Sequence, residues 1–177
     1  MKAKKMITCL LLLICILGTN IFGFYVNATS PDIIAKVTTS TVYINGQQVV
    51  FEAYNIAGYN YFKLRDLAQA FNETEKKFNV VYTPETGVIA LVPGIPYESV
   101  GGELNINRVK SDKKAIKTTS EIYNFGVICD FEAYNIDGYN FFKLRDIMKE
   151  FNIYVGYDEA TGTITLDTSK GYFADAK

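Results

Sequence analysis

Glu52 and Glu132 are the first candidates for catalytic chemistry in this sequence. Glycoside hydrolases use two carboxyl groups about 5–10 Å apart in one cleft. These two glutamates instead occupy equivalent positions in two copies of a repeated segment, and each is expected to lie opposite a lysine. The sequence therefore predicts no carboxylate pair, and we assign no catalytic residue to the chain.

The chain has no histidine, which removes several other kinds of site. Ser-His-Asp and Cys-His nucleophile systems and imidazole ligands for a metal all need that residue. Cys129 is the one cysteine after residue 28, so it cannot form a disulfide within the remaining chain. We predict that it packs as a small apolar side chain, and we predict no metal, no cofactor and no enzymatic activity.

Each copy also carries an Arg-Asp pair, Arg65-Asp66 and Arg145-Asp146, where a strand is expected to become a helix. Adjacent residues do not face each other on a helix, whereas an aspartate in the first turn is stabilised by the helix dipole. We therefore predict that these pairs anchor the strand end and cap the helix.

The repeat is the main structural signal of the sequence. The segment Phe51–Asp66 recurs 80 residues later as Phe131–Asp146. A match of sixteen residues at a fixed offset indicates that one module occurs twice in the chain. Within it, Asp137 replaces Ala57 and Phe141 replaces Tyr61.

A two-residue turn, Ala57-Gly58 in the first copy, sets the register of a hairpin. It places Ala53 opposite Phe62 on an apolar face, which we predict to be the core face. The other face carries an acid opposite a base and a stripe of aromatic side chains. This aromatic stripe is the predicted interaction surface and consists of Tyr54, Tyr59, Tyr61, Tyr134, Tyr139 and Phe141.

Two interpretations of the aromatic stripe remain open. If the rings are exposed, they could stack on the sugar rings of a wall polysaccharide. If they are covered, they bury apolar area between the two copies or against a partner. A sheet with a helix on one face leaves its other face open, and open apolar patches usually find a partner, so packing is favoured over sugar binding.

The apolar period changes after the hairpin. Leu64, Leu67, Ala68 and Phe71 are spaced as one helical stripe, which predicts a helix of about two to three turns across the core face. A final hairpin follows, with Gly87 in the left-handed conformation, and the second copy repeats both elements. The predicted fold is α+β, with two tandem β-β-β-α-β-β modules, each a small antiparallel sheet curled around one short helix.

The N-terminus has the pattern of a secretory signal peptide. Three lysines precede the apolar run Met6–Gly18, which is short for a membrane span, and Val26-Asn27-Ala28 offers a cleavage site. A retained membrane anchor is the alternative. Removal of residues 1–28 leaves 15 basic and 19 acidic side chains, a net charge of −4, which does not favour binding to nucleic acid.

Composition divides the rest of the chain. Residues 29–93 are predicted to form the first module, after a polar lead-in, and residues 118–170 the second. Residues 94–117 begin with prolines and glycines and continue with lysines, so we predict a linker with a solvated charged stretch. Residues 171–177 are expected to fray.

The repeated motif resembles a known family. The first copy reads VYINGQQV…FEAYNIAGYNYFKLRDLAQAF…VVYTPETGVIALV, then PYESVGGEL, and the second FEAYNIDGYNFFKLRDI…VGYDEATGTITLDT. Both resemble the stalk-type module of secreted bacterial proteins, which is named for its similarity to the N-terminal domain of copper amine oxidases. The resemblance covers nearly all of the chain after residue 28, and the YNIxGYNYFKLRD core is its most specific part.

The resemblance implies a small antiparallel sheet around one helix and a non-catalytic accessory module outside the cytoplasm. The copper domain of those oxidases is a separate domain with histidine ligands, so no catalytic residue or copper site carries over. We expect a secreted or wall-associated stalk or adaptor, whose partner is a cell-wall polymer or another secreted protein. The alternative is a cell-wall carbohydrate-binding module that uses the aromatic stripe.

Overall fold

The computed structural model describes residues 32–106 and 111–173. Within these ranges, strands far outnumber helices. The elements are β1 (Ile33–Val37), β2 (Thr41–Ile44), β3 (Gln47–Val49), β4 (Ala53–Ile56), β5 (Tyr59–Lys63), α1 (Leu64–Ala70), β6 (Phe78–Thr83), β7 (Val88–Pro93), β8 (Lys113–Lys117), β9 (Ile122–Asn124), β10 (Val127–Cys129), β11 (Ala133–Ile136), β12 (Tyr139–Lys143), α2 (Leu144–Glu150), β13 (Tyr154–Asp158) and β14 (Thr163–Asp167).

Six of these strands close into a central barrel in the order β1-β4-β5-β12-β11-β8. Each copy of the repeat supplies three neighbouring strands. The copies meet at two antiparallel seams, where Phe62 lies opposite Phe142 and Ile34 lies opposite Lys114. Both seams therefore pair equivalent positions of the two copies, and an approximate twofold axis relates one copy to the other.

Two four-stranded sheets complete the structure, and each of them again combines both copies. One has the order β10-β9-β7-β6 and the other β13-β14-β2-β3. The contacts between copies are parallel, with β7 against β9 and β14 against β2. The last hairpin of each copy thus extends the sheet that the first hairpin of the other copy begins.

The prediction of an α+β fold built from two tandem β-β-β-α-β-β modules is therefore wrong. The described part of the chain is mostly β, with a closed barrel and two mixed sheets in place of two small antiparallel sheets. The physical reason lies in the aromatic stripe, since the second face of each hairpin is too apolar to remain in water. Closing the strands of both copies into one barrel buries that face, which a single module cannot do.

Two barrel strands lie in segments that the sequence pattern left without structure. β1 is in the predicted lead-in, and β8 is in residues 94–117, the predicted linker. Each strand buries one small side chain, Ala35 or Ala115, among neighbours that are mostly exposed. A single buried alanine gives no detectable apolar alternation, so these strands form because β4 and β11 offer them open edges.

The local predictions for the repeated segment are confirmed. Ala53 pairs with Phe62 and Tyr54 with Tyr61, as the turn requires. The non-glycine residue of that turn, Ala57, has φ 51°, and Gly58 has φ 87°. Helices α1 and α2 span seven residues each, and each packs on the seam strands β5 and β12. The core face predicted from the register lies beneath them.

The segment after β7 is ordered around one carboxylate. Glu103 accepts hydrogen bonds from the Tyr97 hydroxyl at 2.7 Å and the Ser99 hydroxyl at 2.6 Å. It also accepts from the backbone N–H groups of Val100 at 3.1 Å and Gly101 at 2.9 Å. Residues 94–106 of the predicted linker therefore form a folded loop, whereas residues 107–110 lie outside the described ranges.

The predicted fraying tail is described only in part. The backbone N–H of Tyr172 donates to the side-chain oxygen of Asn152 at 2.9 Å, so the start of the tail is attached to the fold. Residues 174–177 lie outside the described residues.

We expect Glu103→Gln to lower the free energy of unfolding by about 1–2 kcal/mol at pH 7, because a charged acceptor makes the stronger hydrogen bonds. Burial raises the pKa of the Glu103 carboxyl, but hydrogen bonds from Ser99, Tyr97 and the backbone outweigh it and lower the pKa to about 2. A carboxyl group whose pKa is lower in the folded than in the unfolded state stabilises the fold at pH values above the unfolded pKa. This stabilisation is lost as the pH falls through the folded pKa. Urea unfolding from pH 7 to 2 should show wild type and variant converging below about pH 4.5. A constant difference down to pH 2 would contradict this role.

We expect Leu67→Ala to lower the free energy of unfolding by about 2–5 kcal/mol, because Leu67 is a fully buried residue of α1. Since the sheets are shared, amides of β13 and β14 should lose hydrogen-exchange protection together with those of β6 and β7. The exposed Lys149→Ala serves as the control and should change stability by less than about 0.5 kcal/mol. Loss of protection confined to the first copy would indicate separate domains.

Candidate functional site

Four of the six residues of the aromatic stripe lie inside the barrel. Tyr54, Tyr61, Tyr134 and Phe141 are buried, and burial raises the pKa of Tyr54 to about 12. Tyr54 packs edge-to-face on Phe141 with ring centroids 5.2 Å apart, and Tyr61 packs on Tyr134 at 5.3 Å. Each pair joins one ring from each copy, so these four rings hold the copies together and cannot stack on a ligand.

The remaining two stripe residues, Tyr59 and Tyr139, are exposed. Each ring lies under the ammonium group of a lysine from the other copy. Lys143 Nζ is 3.5 Å from the centroid of Tyr59, and Lys63 Nζ is 4.9 Å from that of Tyr139. Both tyrosines border clefts that are described below.

Glu52, the first catalytic candidate, belongs to a buried ionic cluster. Lys63 forms an ion pair with Glu52 and lies 3.8 Å from Asp66, and all three side chains are buried. The Asp66 carboxylate also accepts the backbone N–H of Leu104 at 3.0 Å. Burial raises the pKa of Asp66, while this hydrogen bond and Lys63 act in the opposite direction. The cluster ties the hairpin, α1 and the loop at Glu103 together.

Glu132, the second candidate, is more exposed to solvent than Glu52 and has different hydrogen-bond partners. It lies 3.6 Å from Lys143 and accepts the Tyr134 hydroxyl at 2.9 Å. Burial raises the pKa of Glu132, but hydrogen bonds from Tyr134 and Tyr61 and the charge of Lys143 outweigh it and lower the pKa. The position equivalent to Tyr61 is Phe141, which has no hydroxyl for Glu52. The Tyr61/Phe141 difference thus follows the different partners of the two glutamates.

Two clefts at the junctions between the copies are the candidate functional sites. Cleft 1 has a volume of about 640 Å³ and cleft 2 about 400 Å³. Cleft 1 is lined by Lys63, Leu64, Arg65, Val80, Tyr82, Ile89, Ile116, Lys117, Thr118, Thr119, Ser120, Asn135, Gly138, Tyr139, Asn140 and Phe142. Cleft 2 is lined by Lys36, Val37, Thr38, Thr39, Ser40, Asn55, Gly58, Tyr59, Asn60, Lys143, Leu144, Arg145, Val155, Tyr157 and Ile164.

The two clefts are equivalent under the approximate twofold axis. Every one of the fifteen positions that line cleft 2 has its counterpart among those that line cleft 1. Thirteen of these fifteen pairs carry the same residue type. The two that differ are Lys36 against Ile116 and Val37 against Lys117.

Part of the polar lining has a structural task. In cleft 2, the Asn60 side-chain oxygen accepts from the Thr38 hydroxyl at 3.2 Å and from the Asn55 amide at 3.1 Å. The Asn60 amide donates to the Ser40 hydroxyl at 3.3 Å. This network fastens the chain between β1 and β2 to the hairpin. The tyrosines and the arginines at the rim take no part in it.

The charged residues that line the clefts are all basic. Neither cleft is lined by an aspartate or glutamate, although each has three basic residues. Among the ion pairs of the described residues, none includes Arg65 or Arg145. Asp66 and Asp146 turn inward, and Asp146 accepts the backbone N–H of Glu132 at 3.3 Å. The Arg-Asp pairs thus combine a structural aspartate with an arginine that borders a cleft.

Sequence reasoning missed the clefts because each combines distant segments of both copies. One signal was available in β6 and β13. Across residues 78–82 and 153–157, the copies agree only at Val80 with Val155 and at Tyr82 with Tyr157, and all four residues line the clefts. Cys129 packs partly buried against the core, as predicted.

No group of His, Cys, Asp and Glu side chains that could hold a metal ion occurs among the described residues. In the same part of the chain, no helix has the length and apolar character needed to cross a membrane. The predicted signal peptide, residues 1–28, lies outside the described residues.

Comparisons of the chain with protein-family models, with curated proteins and with solved structures find no match. The resemblance to the stalk-type module therefore stays a prediction that rests on the repeated motif.

We expect Lys63→Met to lower the free energy of unfolding by about 3–5 kcal/mol, because it leaves Glu52 and Asp66 buried without their cation. Lys143→Met is the matched control, since its partner Glu132 is 41% exposed. We expect that variant to cost about 1 kcal/mol or less. Urea unfolding at pH 7 measures both changes, and equal costs would contradict the assignment of a buried cluster to the first copy alone.

Proposed function

We propose that this chain is a non-catalytic, exported interaction module that acts as a stalk or adaptor at the cell surface. The observation that carries the proposal is the pair of equivalent clefts. Both present tyrosine, arginine, hydroxyl and amide groups, and neither is lined by Asp, Glu, His or Cys. General acid–base catalysis relies most often on His and also on Asp, Glu, Lys, Tyr and Cys. Of these types the clefts offer only Lys and Tyr, so the lining suits recognition better than reaction.

The state of the two candidate glutamates supports the same conclusion. Glu52 is buried and paired with Lys63, and Glu132 is paired with Lys143. Neither glutamate lines a cleft. A catalytic carboxyl group must reach a bound substrate, whereas these two carboxylates are occupied by partners within the fold.

Export is supported by the N-terminal pattern. The basic start, the apolar run Met6–Gly18 and the small residues before Thr29 are typical of a secretory signal peptide. An exported module with one cysteine and no catalytic group is consistent with a partner in the wall, either a polymer or another secreted protein.

The aromatic stripe does not support carbohydrate binding by stacking of its rings on sugar rings. Four of its six rings are buried in the barrel. A ring that packs against another ring inside the fold cannot also cover the face of a sugar. Any ligand must use the clefts or another exposed surface.

The proposal is tested by locating the native chain and identifying what it holds. Tagged chain expressed in a bacterium with a Sec export pathway should appear outside the cytoplasm and begin at Thr29 by mass spectrometry. The purified chain should then retain a defined component of fractionated cell wall or secreted protein, and untagged chain should compete for it.

The controls separate export from interaction. The competing chain carrying Lys149→Gln, an exposed change outside both clefts, should compete as well as wild type. Full-length chain held in the membrane would overturn the export part of the proposal. Retention that untagged chain cannot reduce would overturn the interaction part.

A further inference from the structure

We propose that clefts 1 and 2 are two equivalent binding sites for an acidic saccharide, a sugar that carries a carboxylate or a phosphate. This inference rests on the proposed function, because it names the surface and the ligand class through which the interaction module acts.

Each copy keeps an exposed tyrosine at its cleft, Tyr82 in β6 and Tyr157 in β13. In β6 and β13, the copies agree only at the valine and tyrosine that line the clefts. Tyr82 is 44% exposed and Tyr157 is 51% exposed. Recent duplication does not explain this agreement, because the neighbouring positions have diverged. Core packing accounts for the valines, because Val80 and Val155 are partly buried against the core. It does not account for the tyrosines, because half-exposed rings contribute little to the core.

Each cleft is completed by both copies. In cleft 1, the second copy supplies Thr118–Ser120 and Tyr139, while the first supplies Arg65 and Tyr82. Cleft 2 reverses these contributions. The twofold arrangement of the barrel therefore creates two like sites at once, and neither copy contains a whole site.

The clefts differ in charge from the chain as a whole. The chain carries a net negative charge, yet neither cleft is lined by an acidic residue. One lysine of each cleft, Lys63 or Lys143, is ion-paired with a glutamate, which leaves an arginine and the other lysine of each cleft, Lys117 or Lys36, for an anion. Arg65 and Arg145 border them without an ion pair among the described residues. The planar guanidinium group matches a carboxylate or phosphate with two parallel hydrogen bonds, so each cleft has an available receptor for an anionic group.

The remaining lining favours a saccharide as the carrier of that anion. One half-exposed tyrosine of each cleft, Tyr82 or Tyr157, offers an apolar ring face with a polar tip. The second tyrosine, Tyr139 or Tyr59, has one ring face under a lysine. A sugar ring has a complementary apolar face surrounded by hydroxyl groups. The Thr39 and Thr119 hydroxyls line the clefts outside the structural network, and they are partners for those hydroxyl groups. Volumes of about 640 and 400 Å³ lie in the range of small-ligand pockets.

Calorimetric titration of the chain without residues 1–28 tests the inference. The probes are trigalacturonate, which carries carboxylates, and mannose 6-phosphate, which carries a phosphate. We expect at least one of them to bind with two equivalent sites per chain, and the one that binds identifies the anionic group. Maltotriose serves as the neutral sugar and triglutamate as the acidic peptide, and both should bind at least tenfold more weakly.

Variants link the binding to the clefts. Tyr82→Ala should reduce the stoichiometry from two sites to one and leave the affinity of the other site unchanged. Tyr82→Ala with Tyr157→Ala should weaken binding at least tenfold, and so should Arg65→Gln with Arg145→Gln. The exposed Phe173→Ala and Lys149→Gln are matched controls outside the clefts, and circular dichroism should show the same fold for all variants.

Four results would overturn the inference: no binding of either acidic sugar, equal binding of maltotriose, equal binding of triglutamate, or unchanged binding by the double variants. The proposed function is assessed separately, by repeating the cell-wall capture with the double tyrosine variant. If that variant still captures its component and the titrations fail, the clefts are not the sites and the interaction module stands. If the wild-type chain captures no component and the titrations succeed, the proposed function falls and the saccharide sites remain.

Discussion

Burial of two apolar faces by one short hairpin is the constraint on which this structure depends. In each copy, one face of β4 and β5 carries Ala53 and Phe62 or their equivalents, and the other carries the aromatic stripe. A helix of seven residues covers only the first face. The second face is covered because the hairpins of both copies join edge to edge, with Phe62 opposite Phe142, and curl into one barrel.

Closure of the barrel has consequences for the rest of the chain. It recruits β1 and β8 as closing strands, and it brings the last hairpin of each copy beside the first hairpin of the other. The two clefts form where segments of one copy meet segments of the other. The two copies differ in one ion pair, since Asp137 pairs with Lys113 at 2.9 Å, whereas the equivalent positions hold Ala57 and Ile33.

The internal duplication allows one half of the molecule to be compared with the other. Where the environments differ, the residues differ, as at Tyr61 and Phe141 beside the two glutamates. Where exposed residues agree among diverged neighbours, as at Tyr82 and Tyr157, folding alone does not require the agreement. The comparison therefore separates side chains that hold the barrel from side chains that are available to a ligand.

The sequence by itself determined the local structure of this protein, namely the repeat, the hairpin register, the short helices and the left-handed turns at Gly58 and Gly87. These features depend on contacts between residues close along the chain, and turn chemistry and apolar spacing encode them directly. Only the tertiary structure decided what covers the aromatic stripe and which strands pair between copies. Alternation of apolar and polar residues along a strand shows that a face is apolar but not what packs on it. Val42 pairs with Ile164, and the more than one hundred residues between them carry no local signal of the contact.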